Sequence, residues 1–173
     1  MVSTISKAQL KKSEVSFYID STSTLELKDF SRNQQFKKAR NNIPGVGINR
    51  FPVWTKMTVK NISKDPQNLY AQILVPIMDS VQYFVVKNKT LLSKSEKMGW
   101  WSVLKNKKSP NPNNSYTFSI KGYETIEIYA KVIKTHGTVR IPFQVEIEKE
   151  HFKEMTIKSE FWGWFLGMGF VVI

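Results

Sequence analysis

The chain has no cysteine and only two histidines, His136 and His151. The absence of cysteine excludes a disulfide framework, thiol catalysis and thiolate metal sites. Two histidines are too few for a histidine-rich metal site, and we expect each to be a surface or loop residue. The composition therefore predicts a protein without a metal site and without a cofactor.

Catalytic motifs are missing as well. The sequence contains no nucleophile motif, no phosphate-binding loop and no metal-ligand spacing. Four carboxylates fall on outward-facing positions of predicted strands, at Glu124, Glu127, Glu146 and Glu148. Surface pairs of this kind usually contribute to solvation and not to acid–base chemistry. We therefore predict that the protein is not an enzyme.

Acidic residues are scarce, with 14 Asp and Glu against 26 Lys and Arg and a formal net charge of +12. An excess of cations raises nucleic acid as a partner. The cations are spread over residues 7–12, 37–40, 87–97 and 105–108, and no fingerprint of a nucleic-acid module is present. We therefore expect no nucleic-acid partner. Two interpretations of the charge stay open: a solvated surface, or contact with anionic lipid headgroups.

Alternation of apolar and polar residues with period two is the dominant pattern after residue 53, and it predicts half-buried strands. The predicted strands are residues 15–19, 53–60, 69–75, 81–86, 116–120, 125–134 and 139–148. We expect 69–75 to pair antiparallel with 53–60. The segment 81–86 is apolar on both sides, which indicates a strand covered on both faces. Pro142 indicates an edge strand or a bulge, because proline cannot donate to a ladder.

A short helix is predicted over residues 25–36, where Leu27, Phe30 and Phe36 can share one face after the capping candidate Thr24. Many short strands with no long helical pattern between them predict an all-β fold, an antiparallel β-sandwich or jelly roll. We divide the 173 residues into an N-terminal extension (1–14), one sandwich domain (15–148), a charged connector (149–160) and an apolar segment (161–173).

The apolar segment 161–173 carries no charge, and Trp162 and Trp164 stand near its start. Aromatic residues at that place are typical of a membrane interface, and Gly163 and Gly167 form a small-xxx-small pair. We interpret the segment as the start of a transmembrane helix; the alternative is a terminal element buried in the domain's own core. At the other end no apolar stretch has signal-peptide length, so either the chain is cytoplasmic or a secretion signal has been removed.

The order of several motifs resembles the extracellular sensor domain of bacterial seven-transmembrane receptors with diverse intracellular signalling modules. The resemblance rests on residues 45–61, from Gly45-Val-Gly-Ile-Asn-Arg-Phe-Pro-Val-Trp to Asn61, on the strands that follow, on Gly99, on the Gly-containing turn after 116–120, and on Arg140-Ile-Pro142. It implies a periplasmic jelly roll similar to carbohydrate-binding modules, placed before membrane helices and a cytoplasmic output module. This chain departs from the pattern by its basic charge and by lacking the output module.

Four residues are candidates for ligand contact. Trp100 and Trp101 lie in the long irregular stretch between residues 87 and 115, and flat aromatic faces bind the C–H side of a pyranose. The alternative is that one of them plugs the end of the sandwich. Tyr129 and Arg140 project opposite to the inward residues of their strands, where they can line a concave sheet surface. The Arg140 guanidinium is suited to a carboxylate or phosphate.

Taken with the resemblance, these features predict an extracytoplasmic sensor domain of a receptor in the bacterial inner membrane, facing the periplasm or the extracellular space. Its expected partners are a carbohydrate or other small ligand, the membrane through residues 161–173, and a second copy if it forms a homodimer. The alternatives are a carbohydrate-binding accessory module and a surface adhesion domain without a signalling role.

A chain shortened to residues 1–160 is expected to be soluble and folded, whereas the 173-residue chain is expected to need detergent or to associate. The reason is that an exposed apolar segment of this length promotes association. Size-exclusion chromatography with light scattering in detergent-free buffer measures the difference. A monodisperse monomer of the 173-residue chain would favour the alternative, in which the segment packs on its own domain.

Overall fold

A computed structural model describes residues 9–31, 35–75, 78–100 and 114–148. Within these ranges the chain forms twelve strands and two short 3₁₀ helices, Leu27–Ser31 and Arg40–Asn42. The strands are β1 Leu10–Lys12, β2 Ser16–Ile19, β3 Lys37–Lys38, β4 Gly45–Ile48, β5 Val53–Asn61, β6 Gln67–Ile73, β7 Ser80–Lys87, β8 Thr90–Lys94, β9 Asn114–Ile120, β10 Thr125–Ile133, β11 Thr138–Arg140 and β12 Phe143–Ile147. The all-β prediction is confirmed.

A seven-stranded antiparallel sheet, called here the large sheet, forms one layer. Its order is β3-β2-β5-β10-β7-β8, and β1 pairs with β5 beside β2. The central strand β10 places Ile128 opposite Met57 on one side and opposite Val85 on the other. These three residues point to the same face, because side chains in register across a sheet share a face.

The second layer consists of a three-stranded sheet, β12-β6-β9, and a two-stranded sheet, β11-β4. The predicted pairing of β6 with β5 is therefore wrong. Both strands bury one face in the same core, through Val59 and Leu69, so they lie in opposite layers. Apolar alternation identifies the buried face of a strand but does not identify its hydrogen-bonding partner.

Buried side chains from both layers form one core between the sheets. The large sheet contributes the odd-numbered apolar residues of β5 and β7 and the even-numbered ones of β10, while β6, β9 and β12 supply the opposing side. Tyr83 lies fully buried in this core and donates its hydroxyl to the Asn114 carbonyl oxygen. Its polar end is thereby satisfied inside an apolar environment.

A second apolar cluster lies on the outer face of the large sheet. It contains Trp54, Phe84, Val86 and Tyr129, with Tyr18, Leu27, Phe30 and Phe36 packed against them. The prediction that β7 is covered on both faces is confirmed, since Val85 lies in the inner core and Phe84 in the outer cluster.

In the described part of the helix predicted over residues 25–36, the chain forms the five-residue 3₁₀ helix Leu27–Ser31. Local hydrogen bonds explain the difference. The Asp20 carboxylate accepts from the backbone N–H groups of Thr22 and Leu25, and the Asp29 carboxylate accepts from the Glu26 N–H. Side-chain bonds of this kind offer the backbone an alternative to a regular helix.

Pro142 divides the single strand predicted over residues 139–148 into β11 and β12, which belong to different sheets. At the joint, the Ile141 N–H donates to the Pro44 carbonyl oxygen, and the Pro142 carbonyl oxygen accepts from Leu74 N–H. The missing N–H of Pro142 thus falls where the chain changes sheets, in agreement with the prediction of an edge or bulge.

The turns at one end of the sandwich are held together by Asn61, which is fully buried. Its side-chain amide donates to the carbonyl oxygens of Asp65 and Lys121, and its oxygen accepts from the Ser63 N–H. Gly122 lies against the Lys64 carbonyl oxygen, so closely that a Cβ on Gly122 would overlap that atom. Glycine is required at position 122 because any side chain would collide with the backbone of Lys64.

The predicted connector, residues 149–160, and the predicted membrane segment, residues 161–173, lie outside the described residues, as do residues 1–8. Among the residues that the structure describes, no helix is long and apolar enough to cross a membrane. The strand β1 falls within the segment predicted as an N-terminal extension and pairs with β5, Leu10 opposite Asn61.

Gly122→Ala is expected to lower the free energy of unfolding by about 1–3 kcal/mol, because the added methyl group forces the 62–66 turn to move. For a domain of this size that loss lowers the melting temperature by roughly 2–12 °C. Gly45→Ala is the matched control, since a Cβ there meets no atom within 4 Å. Equal melting temperatures for the two variants in differential scanning calorimetry would contradict the close approach.

Candidate functional site

Strand register aligns the outward side chains of the large sheet in rows. One row runs from Tyr18 through Trp54 and Lys131 to Gln82. The next runs from Lys56 through Tyr129 and Phe84 to Lys94. Aromatic, cationic and amide groups therefore lie side by side on one sheet face, although they are far apart in the sequence.

Residues 20–31, called here the covering segment, pack over part of this face. Phe30 lies edge-on to Trp54, with ring centroids 4.6 Å apart, and stacks on Tyr129 at 6.0 Å. Phe36 contacts Phe30 at 5.3 Å. The aromatic contacts anchor the covering segment, and Leu27 and Lys28 form a wall shared by two grooves.

The larger groove has a volume of about 790 Å³. Outward residues of the central strands form its floor, namely Trp54, Gln82, Phe84 and Lys131. The covering segment contributes Leu25 and Lys28 to one wall, and the β7–β8 hairpin contributes Leu91 to another.

The lining of the larger groove is strongly cationic. Its cations are Lys28, Arg50, Lys89, Lys94, Lys97 and Lys131. The single carboxylate in the lining is Glu26, whose oxygen lies 3.0 Å from Lys28 Nζ. Among the described residues, Arg50, Lys89, Lys94 and Lys97 form no ion pair.

Two floor residues are fixed by contacts with each other and with the covering segment. Lys131 Nζ lies 5.1 Å from the Trp54 ring centroid and donates to the Leu25 carbonyl oxygen at 3.0 Å. Trp54 is 1% exposed, and its indole N–H has no acceptor in the part of the chain that the structure describes. A buried donor without an acceptor is rare in native proteins, because desolvation of that group is left uncompensated.

In the smaller groove, of about 420 Å³, three of the four lining cations are paired with a carboxylate: Lys28 with Glu26, Lys56 with Glu127 and Lys87 with Glu124. Lys56 forms an ion pair with Glu127, and Glu127 also accepts the Tyr129 hydroxyl at 3.0 Å. Burial raises the pKa of Tyr129 well above its ordinary value, and the Glu127 carboxylate raises it further. Tyr129 therefore stays protonated and donates to Glu127, so Lys56, Glu127 and Tyr129 satisfy one another.

The structure does not bring the predicted residues Tyr129 and Arg140 together. Tyr129 lies on the outer face of the large sheet, as expected, but only 6% of it is exposed because Phe30 and Phe36 cover its ring. Arg140 is exposed on β11, in the two-stranded sheet, opposite Gly45. A shared concave surface for these two side chains is therefore not formed.

Trp100 is 68% exposed, so it is not a core plug. Its backbone N–H donates to the Met78 carbonyl oxygen at 2.7 Å. The preceding Gly99 has φ +118°, and a Cβ there would lie 2.7 Å from the same oxygen, so glycine is required at this approach. Trp100 does not line either groove, and Trp101 lies outside the described residues.

Several groove residues escaped the sequence prediction. Lys89, Lys94 and Lys97 belong to the basic group 87–97 seen in the sequence, and Arg50 stands alone before β5. The sequence does not show that these cations line one groove. Lys131 could have been predicted from the sequence, because it follows Tyr129 by two residues and therefore lies on the same outward face of β10. Among the described residues, no group of three or more His, Asp or Glu side chains can hold a metal ion.

The sequence of residues 12–146 matches the 7TMR-DISM extracellular 2 family. The chain belongs to this family of extracellular sensor domains of seven-transmembrane receptors, and the resemblance inferred from its motifs is confirmed. No curated protein sequence matches the chain at a significant level.

Two solved structures are distantly similar. One is a β-glucosidase from Kluyveromyces marxianus in complex with glucose, with a TM-score of 0.37 and 9% identity over 77% of this chain. The match spans only 16% of the glucosidase chain. The other is TmCBM61 in complex with β-1,4-galactotriose, with a TM-score of 0.32 and 10% identity, covering 82% of this chain and 90% of that one.

Phe30→Ala is expected to loosen the covering segment and to lower stability by about 2 kcal/mol, roughly half the cost of truncating a fully buried phenylalanine. The corresponding loss in melting temperature is roughly 4–8 °C. Ile48→Ala is the control, because Ile48 is 83% exposed. If both variants melt within one degree of the parent chain, Phe30 does not anchor the segment.

Proposed function

We propose that the protein is the extracytoplasmic ligand-binding sensor domain of a receptor in the bacterial inner membrane, and that its ligand, a carbohydrate or another small molecule, binds in the larger groove. The observation that carries the proposal is the groove itself, built on the central strands of a domain from a receptor family. We propose no catalytic role for it.

The dimensions and composition of the groove support binding. Its volume of about 790 Å³ lies within the range of about 300–1,000 Å³ typical of small-molecule sites. The groove combines apolar surface from Leu25, Leu27 and Leu91 with the Gln82 amide, which donates to the Ser95 carbonyl oxygen and keeps its own oxygen as an acceptor. A few polar groups set in apolar surface are what a specific ligand site requires.

The position of the groove between the covering segment and the sheet face supports signal transfer. The covering segment and the sheet face both line it, so a bound ligand contacts both. A ligand that prefers one arrangement of these parts shifts the equilibrium toward that arrangement by its differential affinity. In this proposal residues 149–160, which follow β12, carry the shift toward the membrane.

Trp100 remains a second candidate for ligand contact, together with Trp101. The large exposed fraction of Trp100 and its anchored backbone suit a stacking platform. Because it does not line the larger groove, the two sites can be separated by mutation.

Binding is expected to raise the melting temperature when the chain is screened against soluble sugars, amino acids and organic acids. A ligand at a hundred times its Kd stabilises by about 2.7 kcal/mol, and for a domain of this size the shift is roughly 5–11 °C. Ser80→Trp, which fills the groove from its floor edge, should abolish the shift. Ser119→Trp, on the outer face of the three-stranded sheet, should leave it unchanged.

The screen also decides between the two candidate sites. If Trp100→Ala abolishes the shift and Ser80→Trp does not, the ligand binds at Trp100. If no compound in any of the three classes shifts the melting temperature, the proposal of a small-molecule sensor is wrong.

A further inference from the structure

We propose that the larger groove selects an acidic oligosaccharide, whose carboxylates are bound by Arg50, Lys94 and Lys97. The inference rests on the proposed function and specifies its ligand class. It is carried by the charge, the shape and the unmet hydrogen-bonding capacity of the groove.

The cations of the groove come from separate parts of the chain. Lys28 belongs to the covering segment, Arg50 to the loop before β5, and Lys131 to β10, while the remaining three come from the β7–β8 hairpin and the residues after it. Strand register and the packing of the covering segment bring them together around the larger groove. Six cations against one carboxylate, which is already paired with Lys28, leave the groove with an uncompensated positive charge.

The general basicity of the protein does not account for this concentration. The outer face of the three-stranded sheet offers a comparison within the same molecule. The outward residues of β6, β9 and β12 include no lysine or arginine: Asn68, Tyr70, Gln72, Ser115, Thr117, Ser119, Gln144 and Glu146. Two of these residues, Tyr70 and Gln72, are buried, and the two-stranded sheet of the same layer carries the exposed Arg140. The contrast with the groove therefore holds for the exposed, described positions of the three-stranded sheet.

Crowded like charges repel one another, and a groove that holds them apart from counterions favours an anionic occupant. Arg50 provides a planar guanidinium that can bind a carboxylate in a bidentate manner. Lys94 and Lys97 are exposed point charges at the end of β8 and just after it, three strands away from β5, which follows Arg50. An elongated ligand with several carboxylates can contact both ends of this span at once.

The floor favours a sugar over a simple anion. The Gln82 side chain lines the groove and keeps its oxygen as an acceptor, to which a sugar hydroxyl can donate. A bilayer surface would contact the exposed rim cations but not floor residues such as Lys131, which is half-buried beneath the covering segment.

The test uses the 173-residue chain in a nonionic detergent and isothermal titration calorimetry. The probes are trimers of galacturonate, glucuronate and mannuronate, each with its carboxyl-reduced neutral counterpart. We expect at least one uronate trimer to bind about tenfold or more tightly than its neutral counterpart at about 50 mM NaCl, and to weaken as salt screens the charges.

Two variants of equal net charge locate the site. Arg50→Gln/Lys94→Gln/Lys97→Gln should weaken uronate binding by about tenfold or more, because it removes the proposed carboxylate contacts. Lys60→Gln/Lys64→Gln/Lys121→Gln removes three exposed cations outside the groove and should change binding by less than about twofold, as expected for distant surface charges in salt. Equal losses in the two variants would show non-specific attraction and overturn the inference.

The remaining outcomes separate the inference from the proposed function. Equal affinity for a uronate and its neutral counterpart would contradict the proposal of an acidic ligand and would leave the proposal of a sensor domain unaffected. If no uronate trimer binds, the acidic ligand is wrong, and the sensor proposal then depends on the broader screen. Binding to vesicles containing phosphatidylglycerol that is lost in the groove variant, without uronate binding, would assign the cations to lipid headgroups.

Discussion

The contact between Phe30 and Trp54 is the interaction on which the outer face of the protein depends. Trp54 projects from a central strand away from the main core, and without cover its ring would be exposed to water. Phe30 covers it and holds the covering segment on the sheet. Because the covering segment supplies walls to both grooves, the shape of the candidate site depends on one aromatic pair. The inner core holds the two layers together, and this second cluster shapes the outer face of the large sheet.

Much of the fold follows from alternation along single strands. The segments of β5, β7 and β10 were predicted nearly to their ends, because each carries an uninterrupted inward series such as Val81, Tyr83 and Val85. Pairing was harder to predict. Residues 69–75 follow 53–60 after a turn, which suggested a hairpin, yet β6 crosses to the opposite layer and pairs with β9 and β12. Both arrangements bury the same side chains, so the pattern alone could not separate them.

The candidate site was less predictable than the fold, for a physical reason. A loop tryptophan such as Trp100 can be recognised in one dimension, because an aromatic residue in an irregular stretch is conspicuous. The groove has no such mark. Its cations lie on four separate pieces of chain, one of them residues 89–97, and these pieces become neighbours only through strand register and the packing of the covering segment. The one carboxylate of the lining, Glu26, is paired with Lys28 and not with Arg50 or Lys94, which the sequence could not show either.

The groove combines two kinds of position that respond differently to mutation over evolutionary time. Trp54 and Phe84 on the floor are buried, so most replacements there cost stability and are removed by selection. Arg50, Lys94 and Lys97 are exposed, and replacements there leave the free energy of folding almost unchanged. In the proposed sensor, ligand preference can therefore change by single substitutions on the rim while the scaffold stays intact, so descendants of this domain can acquire new specificities without passing through unfolded intermediates.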